Sequence, residues 1–434
     1  MDYAEPDICR TDLLQDAALA ARSDPRHAVE WAKQFGFTTG AKMADRVQTI
    51  VVGAGAIGSA AAYWLAARGQ TDVLVLEQFD LAHGRGSADD HSRIIRHSYH
   101  NSHYGRLTSA AYGALEAVER ESGQQLVFET GGLDLAEVGT VGANELANYR
   151  STLAENGHTF EELNADAVRR RFPQWNITDS TVGLYSSDSG ILDIRRSRAT
   201  HISLARARGV TFAPNTAVRR IESIADGVRV FTDGEVYEAD HVVLCTASWT
   251  ETLTKELGQE WKIWVTQEQV SYFATPNVRD FSIGQFPLFM WHGDVPFYGF
   301  PIYGEVGVKV SRDVAGKYVS ADTRSFDPDP AETELFLSFL RDHLPGAIGP
   351  EIYSKTCIYD MPVDRDFIID TVPGHPRVVL GLGAGHAAKF SGLIGEIVSD
   401  LVVDGATRHP IAAFRADRPT LSDPTLEPSF RQKG

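Results

Sequence analysis

Thr49-Ile-Val-Val-Gly-Ala-Gly-Ala-Ile-Gly58 is the stretch that decides how this chain is read. An apolar, β-branched run breaks into glycines at 53, 55 and 58 and then turns Ala-rich and helical. Val73-Leu-Val-Leu-Glu77 follows, a buried-strand pattern ending in an acid 19 residues after Gly58. Strand, Gly turn, helix, strand and acid in this order specify a dinucleotide-binding βαβ unit. Gly53 permits the tight turn, Gly55 lets the backbone approach a pyrophosphate, and Gly58 lets the helix pack closely on the strand. Ile57 sits in the first helical turn, where free N–H groups and the positive dipole end meet the phosphates. Glu77 is placed to accept hydrogen bonds from a ribose hydroxyl. The unit alone does not separate NAD from FAD.

A chain of 434 residues buries a large core and should hold two connected domains. The formal charge of −17 argues against nucleic acid or an anionic membrane as main partner. No apolar run approaches the ~18 residues that span a bilayer. Cys9, Cys245 and Cys357 show neither paired nor metal-type spacing, so no metal is expected and a reducing cytoplasm is the simplest setting. Residues 1–43 precede the nucleotide unit. Asp12 to Phe37 reads as an amphipathic helix without the basic start and apolar core of a signal peptide. Gly40 and Lys42 read as a linker. A helical arm packed on its own subunit is expected in preference to an oligomer contact or a lid, and the oligomeric state is left open.

Past the nucleotide unit, His83 to Ser92 is a polar loop, and Tyr104 to Gly123 reads as a helix. Val127 to Ala136 and Thr181 to Leu192 read as extended, and Val168 to Pro173 as a short basic segment. A helix over Ile202 to Gly209 leads into a strand at Val210. Val218 to Ile224, Val228 to Phe231 and Val236 to Ala239 form an antiparallel meander, followed by the buried strand His241 to Cys245. The aromatic and β-branched middle, Trp261 to Lys317, predicts a sheet. Pro328 to Leu344 is a helix capped at Asp329. Val378 to Gly383 is a strand entering a Gly turn, and Phe390 to Val402 is helical. The fold class is α/β with two domains. A Rossmann-type domain is drawn from 44–95, 180–255 and 354–420. A second domain on a mixed antiparallel sheet, 96–179 and 256–353, is inserted into it. A tail, 421–434, closes the chain.

Several polar residues read two ways. Arg93 and Arg96 flank two isoleucines, either as a solvated loop or as paired guanidinium forks for a carboxylate. Lys309, in Gly307-Val-Lys-Val310, is an exposed edge residue or a placed charge. Cys357 alone reads as a small buried apolar residue. His386 reads as a loop histidine bonded to backbone or as a site residue. His97 packs against its loop.

The motifs resemble the monomeric sarcosine oxidase and N-methyltryptophan oxidase family of flavoprotein amine oxidases. The resemblance runs from about Val47 to Pro419. It is carried by the GAGAIG turn, Ser92-Arg-Ile-Ile-Arg-His97, Phe297-Tyr-Gly-Phe-Pro301, Gly307-Val-Lys309, Thr356-Cys-Ile-Tyr359, Asp366-Phe-Ile-Ile-Asp370 and Gly385-His-Ala-Ala-Lys-Phe-Ser391. It implies that the nucleotide is FAD and that the first domain binds it through Gly53, Gly55, Ile57, Gly58, Glu77, Ser92, Arg93, Val218, Gly385 and Lys389. It also implies covalent attachment at Cys357, with Tyr359 two residues on. By the same resemblance Arg93 lies by the flavin ring, while Arg96 and Lys389 pair with the substrate carboxylate. Tyr298 lines the substrate pocket, His386 stands near the flavin pyrimidine edge, and Lys309 promotes reaction with O2. Arg93, Tyr298, Lys309, Asp313 and His386 are therefore the expected catalytic set.

This chain departs from the family in its N-terminal arm, which has no counterpart in the simple members, and in three places within the motifs. Asp313 stands where the family pattern has a histidine, Ala387-Ala388 replaces a Gly-aromatic pair, and Ala247 in Cys245-Thr-Ala-Ser-Trp249 replaces a glycine. The first two imply a substrate bulkier than N-methylglycine. The expected reaction is oxidation of an N-substituted amino acid by FAD, with O2 returning as hydrogen peroxide. A fructosyl (Amadori) amino acid is the alternative within that class. Oxidation of a sugar or glycoside CH–OH is another, and a non-catalytic flavin-binding partner protein is the last.

Overall fold

The computed structural model describes residues 42–314 and 317–427. Cys9, the helix expected over Asp12 to Phe37, the linker glycine Gly40 and the end of the tail lie outside the described residues. No helix among the described residues is long and apolar enough to cross a membrane.

The first sheet is assembled from both ends of the chain. Strand Val47–Val52 runs parallel to Val73–Leu76 on one side and to Glu235–Leu244 on the other. Thr211–Ala213 extends the sheet beyond Val73–Leu76, and Val378–Leu382 joins beside Val242–Leu244. These strands are covered on both faces, so they read as continuous apolar runs rather than as alternation. Helices Ala56–Ala67, Ser102–Ser122, Ile194–Ala207 and Ser391–Val403 share one core against one face. The two helices nearest the Gly turn touch through small residues: a Cβ on Gly395 would come within 2.6 Å of Ala60 Cβ.

Two expectations change here. Glu235–Leu244 is one ten-residue strand, not two. Its first half closes the meander against Gly227–Thr232, and its second half sits in the parallel sheet. Asp240 does not break it: its part-exposed carboxylate accepts from Arg46 Nη2 at 2.7 Å. Lys42, expected as linker, forms with Met43 a short strand that pairs in parallel with Glu235 and Val236.

The second sheet is the one predicted for the aromatic middle. Ile263–Phe273, Val308–Arg312, Phe297–Phe300 and Leu288–Trp291 run antiparallel in that order. Leu288–Trp291 then pairs in parallel with Gly132–Glu137, which makes the sheet mixed. Thr181–Ser186 pairs with Gly132–Glu137, and Glu351–Pro362 runs along nearly all of Ile263–Phe273. Both strands thus belong to this sheet, although the segments drawn from the sequence placed them with the nucleotide domain. Helix Ser102–Ser122, drawn with the inserted domain, packs in the core of the first sheet. Pairing partners, not position along the chain, set these memberships. The sheet's core is a ring-rich cluster with Trp175, Phe286, Phe289, Phe297 and Phe339, each contributing about 2–3 kcal/mol when fully buried.

Helix Pro330–His343 begins as expected, with Asp329 accepting a bond from Ala331 N. Helix Ile194–Ala207 starts eight residues earlier than predicted. Its cap is Asp193, which accepts from Arg196 N. Helix Val141–Glu155, capped by Thr140, was not foreseen. A third sheet of three short strands, Arg93–Ile95, Gly190–Leu192 and Val127–Glu129, carries Arg93.

Candidate active site

One cavity takes its walls from both large sheets. Its lining includes Gly53, Gly55, Ile57, Glu77, Ser92, Arg93, Arg96, Val218, Tyr298, Lys309, Asp313, Gly385, His386 and Lys389. Gly58 and Cys357 are expected site residues that do not line it.

At one end the backbone dominates. Gly53 turns at φ +97°, and a Cβ there would also meet Cys245 O at 2.5 Å. Gly58 acts from behind: a Cβ would lie 1.9 Å from Gly53 O, so only glycine lets the helix start this close to the turn. Gly55 is the N-cap of helix Ala56–Ala67, and no side chain caps it. A Cβ on Gly55 would meet nothing within 4 Å, and the first N–H groups of the helix are left to an anion. Helix Ser391–Val403 likewise has no side-chain cap, and Ser391 lines the cavity. Glu77 is buried, with Oε2 accepting from Ala54 N at 2.8 Å and Oε1 from Phe79 N at 3.0 Å. Burial pushes its carboxyl up, but bonds from His83 and the two backbone N–H groups outweigh that, and it stays below its ordinary range. An uncapped helix start, room over Gly55 and a held carboxylate fit the diphosphate and ribose of FAD.

At the other end side-chain charge dominates. Lys309 is 2 % exposed. Its Nζ donates to Asp90 Oδ2 at 2.6 Å, Ser92 O at 3.0 Å and Ser92 Oγ at 3.1 Å. It is thus a placed charge and not an edge residue. Burial lowers its pKa to about 8, with Asp90 pulling upward and Arg93 downward. Asp90 also accepts from Tyr272 OH at 2.8 Å and holds a backbone φ of 121°, which L residues rarely adopt. Burial works against its charge, yet Lys309 and Arg93 keep its carboxyl well below the usual range. Arg93 is not a solvated loop residue. It ties the preceding loop together through Ser87 O, Asp89 O and Ser92 O at 2.7–2.9 Å.

Arg96 is buried and already has a carboxylate: Nη1 donates to Asp134 Oδ1 at 2.8 Å. Nη2 donates to Tyr149 OH at 3.3 Å, and Nε has no partner. His292 places Nε2 at 2.9 Å from Asp134 Oδ1 and Nδ1 at 3.2 Å from Glu145 Oε2. Burial opposes its charge, but bonds to both acids leave its pKa raised.

Lys389 makes no ion pair among the described residues. Its Nζ donates to Tyr99 OH at 3.1 Å and His386 O at 3.3 Å. Burial, reinforced by Arg96, lowers its pKa to about 7, and Asp313 is the acid that pulls it upward. The Tyr99 hydroxyl lies 3.1 Å from His386 Nδ1, while His386 Nε2 lies 3.2 Å from Arg365 O. A carbonyl only accepts, so Nε2 carries the proton and Nδ1 accepts from Tyr99. Both ring nitrogens are therefore occupied, and burial keeps the ring neutral. His386 fits the backbone-bonded loop histidine, lines the cavity itself and is joined through Tyr99 to Lys389.

Cys357 lies opposite Glu268 on strand Glu351–Pro362. Burial pushes its thiol up, and Arg93 and Lys309 pull it down. Cys245 and Cys357 are both free thiols. Asp360, three residues on, also lines the cavity, and burial raises its carboxyl to about 7. His97 stacks on Tyr112 and His158, with Nδ1 2.9 Å from Thr108 Oγ1. His97, His158 and Asp188 bring three ligand-type atoms within 4.8 Å of one another. The two rings are only 20° from parallel at 3.8 Å, so their in-plane lone pairs do not converge on one ion.

Sequence reasoning passed over Asp90, Asp134, His292, Tyr99 and Asp360. Asp90 had a local signal, since it belongs to an Asp-Asp pair just ahead of Ser92-Arg93. The others act through partners far along the chain.

Comparison with known proteins fits this geometry. Residues 48–401 match the family model for FAD dependent oxidoreductases. The chain is 33% identical over 381 residues to a monomeric sarcosine oxidase of Streptomyces avermitilis, covering 86% of this chain and 97% of that one. It is 31% identical over 376 residues to N-methyl-L-tryptophan oxidase of Escherichia coli, covering 85% and 98%. Among solved structures, NikD, an unusual amino acid oxidase essential for nikkomycin biosynthesis, superposes in its open form with a TM-score of 0.77 at 26% identity, covering 86% and 98%. With the Gly turn, the held acid and the covered parallel sheet already in place, this match over most of the length makes the chain a member of the FAD dependent oxidoreductase family, and an enzyme of the sarcosine oxidase-like branch.

Proposed function

We propose that this enzyme oxidises an N-substituted, α-carboxylated amino acid with FAD, passes the electrons to O2 and releases hydrogen peroxide. One observation carries the reading. The cavity that begins at the uncapped helix also reaches Lys389, a half-buried amine with no acid partner among the described residues. When bound, FAD supplies the two-electron acceptor for the C–N bond of the substrate and a route from there to O2.

The chain's residues do the rest. Lys389 holds the substrate carboxylate, with the free N–H edge of Arg96 beside it. Tyr99 fixes the Lys389 ammonium from one side and is itself fixed by His386. Tyr298 forms part of the pocket wall. Asp313, in the same cavity, is an acceptor for an ammonium or hydroxyl on the N-substituent. Asp90 keeps Lys309 charged, and that charge favours electron transfer to O2. Cys357 is the covalent tether for FAD, which acid precipitation tests: yellow colour should stay with the protein pellet. Asp313 and the small Ala387-Ala388 pair favour a substrate bulkier than sarcosine. This is abandoned if sarcosine has the highest specificity constant. Cys245 forms no disulfide, which accords with a reducing cytoplasm.

The deciding experiment is anaerobic reduction of the purified flavoprotein by N-methyl amino acids, cyclic imino acids, fructosyl amino acids and sugars, with air then readmitted. Bleaching by an amino acid derivative, with colour and peroxide returning in air, is the expected result. Bleaching only by a sugar moves the reaction to CH–OH oxidation, and a flavin reduced by nothing in the panel removes the enzymatic reading.

A further inference from the structure

Arg96 stands in a closed group of four charges. Asp134 lies between Arg96 and His292, and His292 lies between Asp134 and Glu145. Each His292 ring nitrogen faces a carboxylate oxygen, which only accepts, so the ring is an imidazolium. Two cations and two anions sum to zero. The group is built in, with side chains of Arg96, Asp134 and His292 3–8% exposed. A Cβ on Gly142 would meet His292 O at 1.7 Å, so the helix bearing Glu145 packs directly on the histidine backbone. Arg96 reaches the cavity with its charge already compensated. Beside Arg96, Lys389 makes no ion pair among the described residues, and Asp313 adds a negative charge to the same walls.

We propose that Asp134 is a specificity-determining residue: with His292 it neutralises and fixes Arg96, so that the site accepts a substrate with one carboxylate and refuses one with two. This rests on the amino acid oxidase reading and deepens it by naming the charge class of the substrate. At the Arg96 end of the cavity a second carboxylate would meet a guanidinium already compensated by Asp134, with Asp313 opposing it. Asp134 acts through Arg96 and is a positioning residue rather than a catalytic one.

The test uses the FAD-loaded enzyme and two ether acids that cannot form an imine. Methoxyacetate mimics an N-methyl amino acid, and diglycolate mimics an amine bearing two carboxylates. Binding is read from perturbation of the flavin absorption spectrum. Wild type should bind methoxyacetate at least tenfold more tightly than diglycolate. Asp134→Asn removes the carboxylate that compensates Arg96 and should tighten diglycolate at least tenfold while moving methoxyacetate less than threefold. His292→Gln leaves the group one charge more negative and should move the diglycolate-to-methoxyacetate ratio the opposite way. Opposite shifts from two neighbouring variants would not arise from damage to packing, which weakens both ligands in both. Equal affinities in wild type, or shifts of the same sign, overturn the proposal while leaving the amino acid reading intact. If neither acid perturbs the flavin while an uncharged sugar does, the amino acid reading itself falls, and this inference with it.

Discussion

The two ends of the cavity recognise their ligands by different means. The Gly53 end works with backbone: a positive φ, a helix start without a cap and one carboxylate held by N–H groups. The Lys309 and Lys389 end works with side-chain charge, set by partners that lie far apart in sequence. A backbone site tolerates little change, because a single Cβ collides with main chain. A charge site tolerates change more readily and alters its selectivity when it does. A family can therefore keep its cofactor and vary its substrate.

The largest expected effect strikes the charged end. Lys309→Met should slow reoxidation of the reduced flavin by O2 by about 10²–10³-fold, as loss of one preorganised charge does elsewhere. Stopped-flow mixing with O2 reads this directly, and anaerobic reduction by substrate should change far less. Equal losses in both half-reactions would place Lys309 with the substrate rather than with O2.

At the backbone end, Gly58→Ala and Gly55→Val should separate. The first puts a methyl 1.9 Å from Gly53 O and should destabilise the protein by about 3 kcal/mol or more. The second projects into open space and should weaken FAD binding with little change in the Tm of the FAD-free protein. Identical Tm losses for both would mean that Gly55 also serves packing.

Titration sharpens the contrast further. A carboxylate ligand needs Lys389 protonated, and burial brings that pKa down to about 7. Affinity should be full below that pH and fall roughly tenfold per unit above it, until the ligand-raised pKa of the complex is passed. Lys389→Met should flatten this profile. The smallest effect concerns Ala247, which holds φ +44° where glycine would be unstrained. Ala247→Gly should gain no more than about 1 kcal/mol, since relief of the left-handed conformation is partly offset by the greater freedom of glycine in the unfolded chain.

The sequence made the backbone end readable because its signals are local. Glycines at 53, 55 and 58 and the acid at 77 belong to one βαβ unit, and each acts through geometry that any chain at those positions must obey. The buried strands of the first sheet were readable for a similar reason, since both faces are covered and the runs are continuous. The second sheet was readable as a sheet but not in its membership. Glu351–Pro362 and Thr181–Ser186 join it through partners about 90 and 50 residues away. Arg93, Arg96, Lys309, Asp313, His386 and Lys389 were singled out through resemblance, and all line the cavity. Their partners were not foreseen. Asp134 reads as one acid within a short strand until its register sets it beside Arg96 and His292, 38 and 158 residues away. Tyr99 is an ordinary loop tyrosine until it joins Lys389 to His386.

The most direct test of the account is anaerobic flavin reduction by the best amino acid substrate and by the matching amine lacking its carboxylate, in wild type and in Lys389→Met. The account predicts a strong preference of wild type for the acid, lost in the variant because the amine is unaffected and the acid is slowed to its level. A wild type that reduces its flavin as fast with the amine, or a variant that keeps the preference, would contradict it.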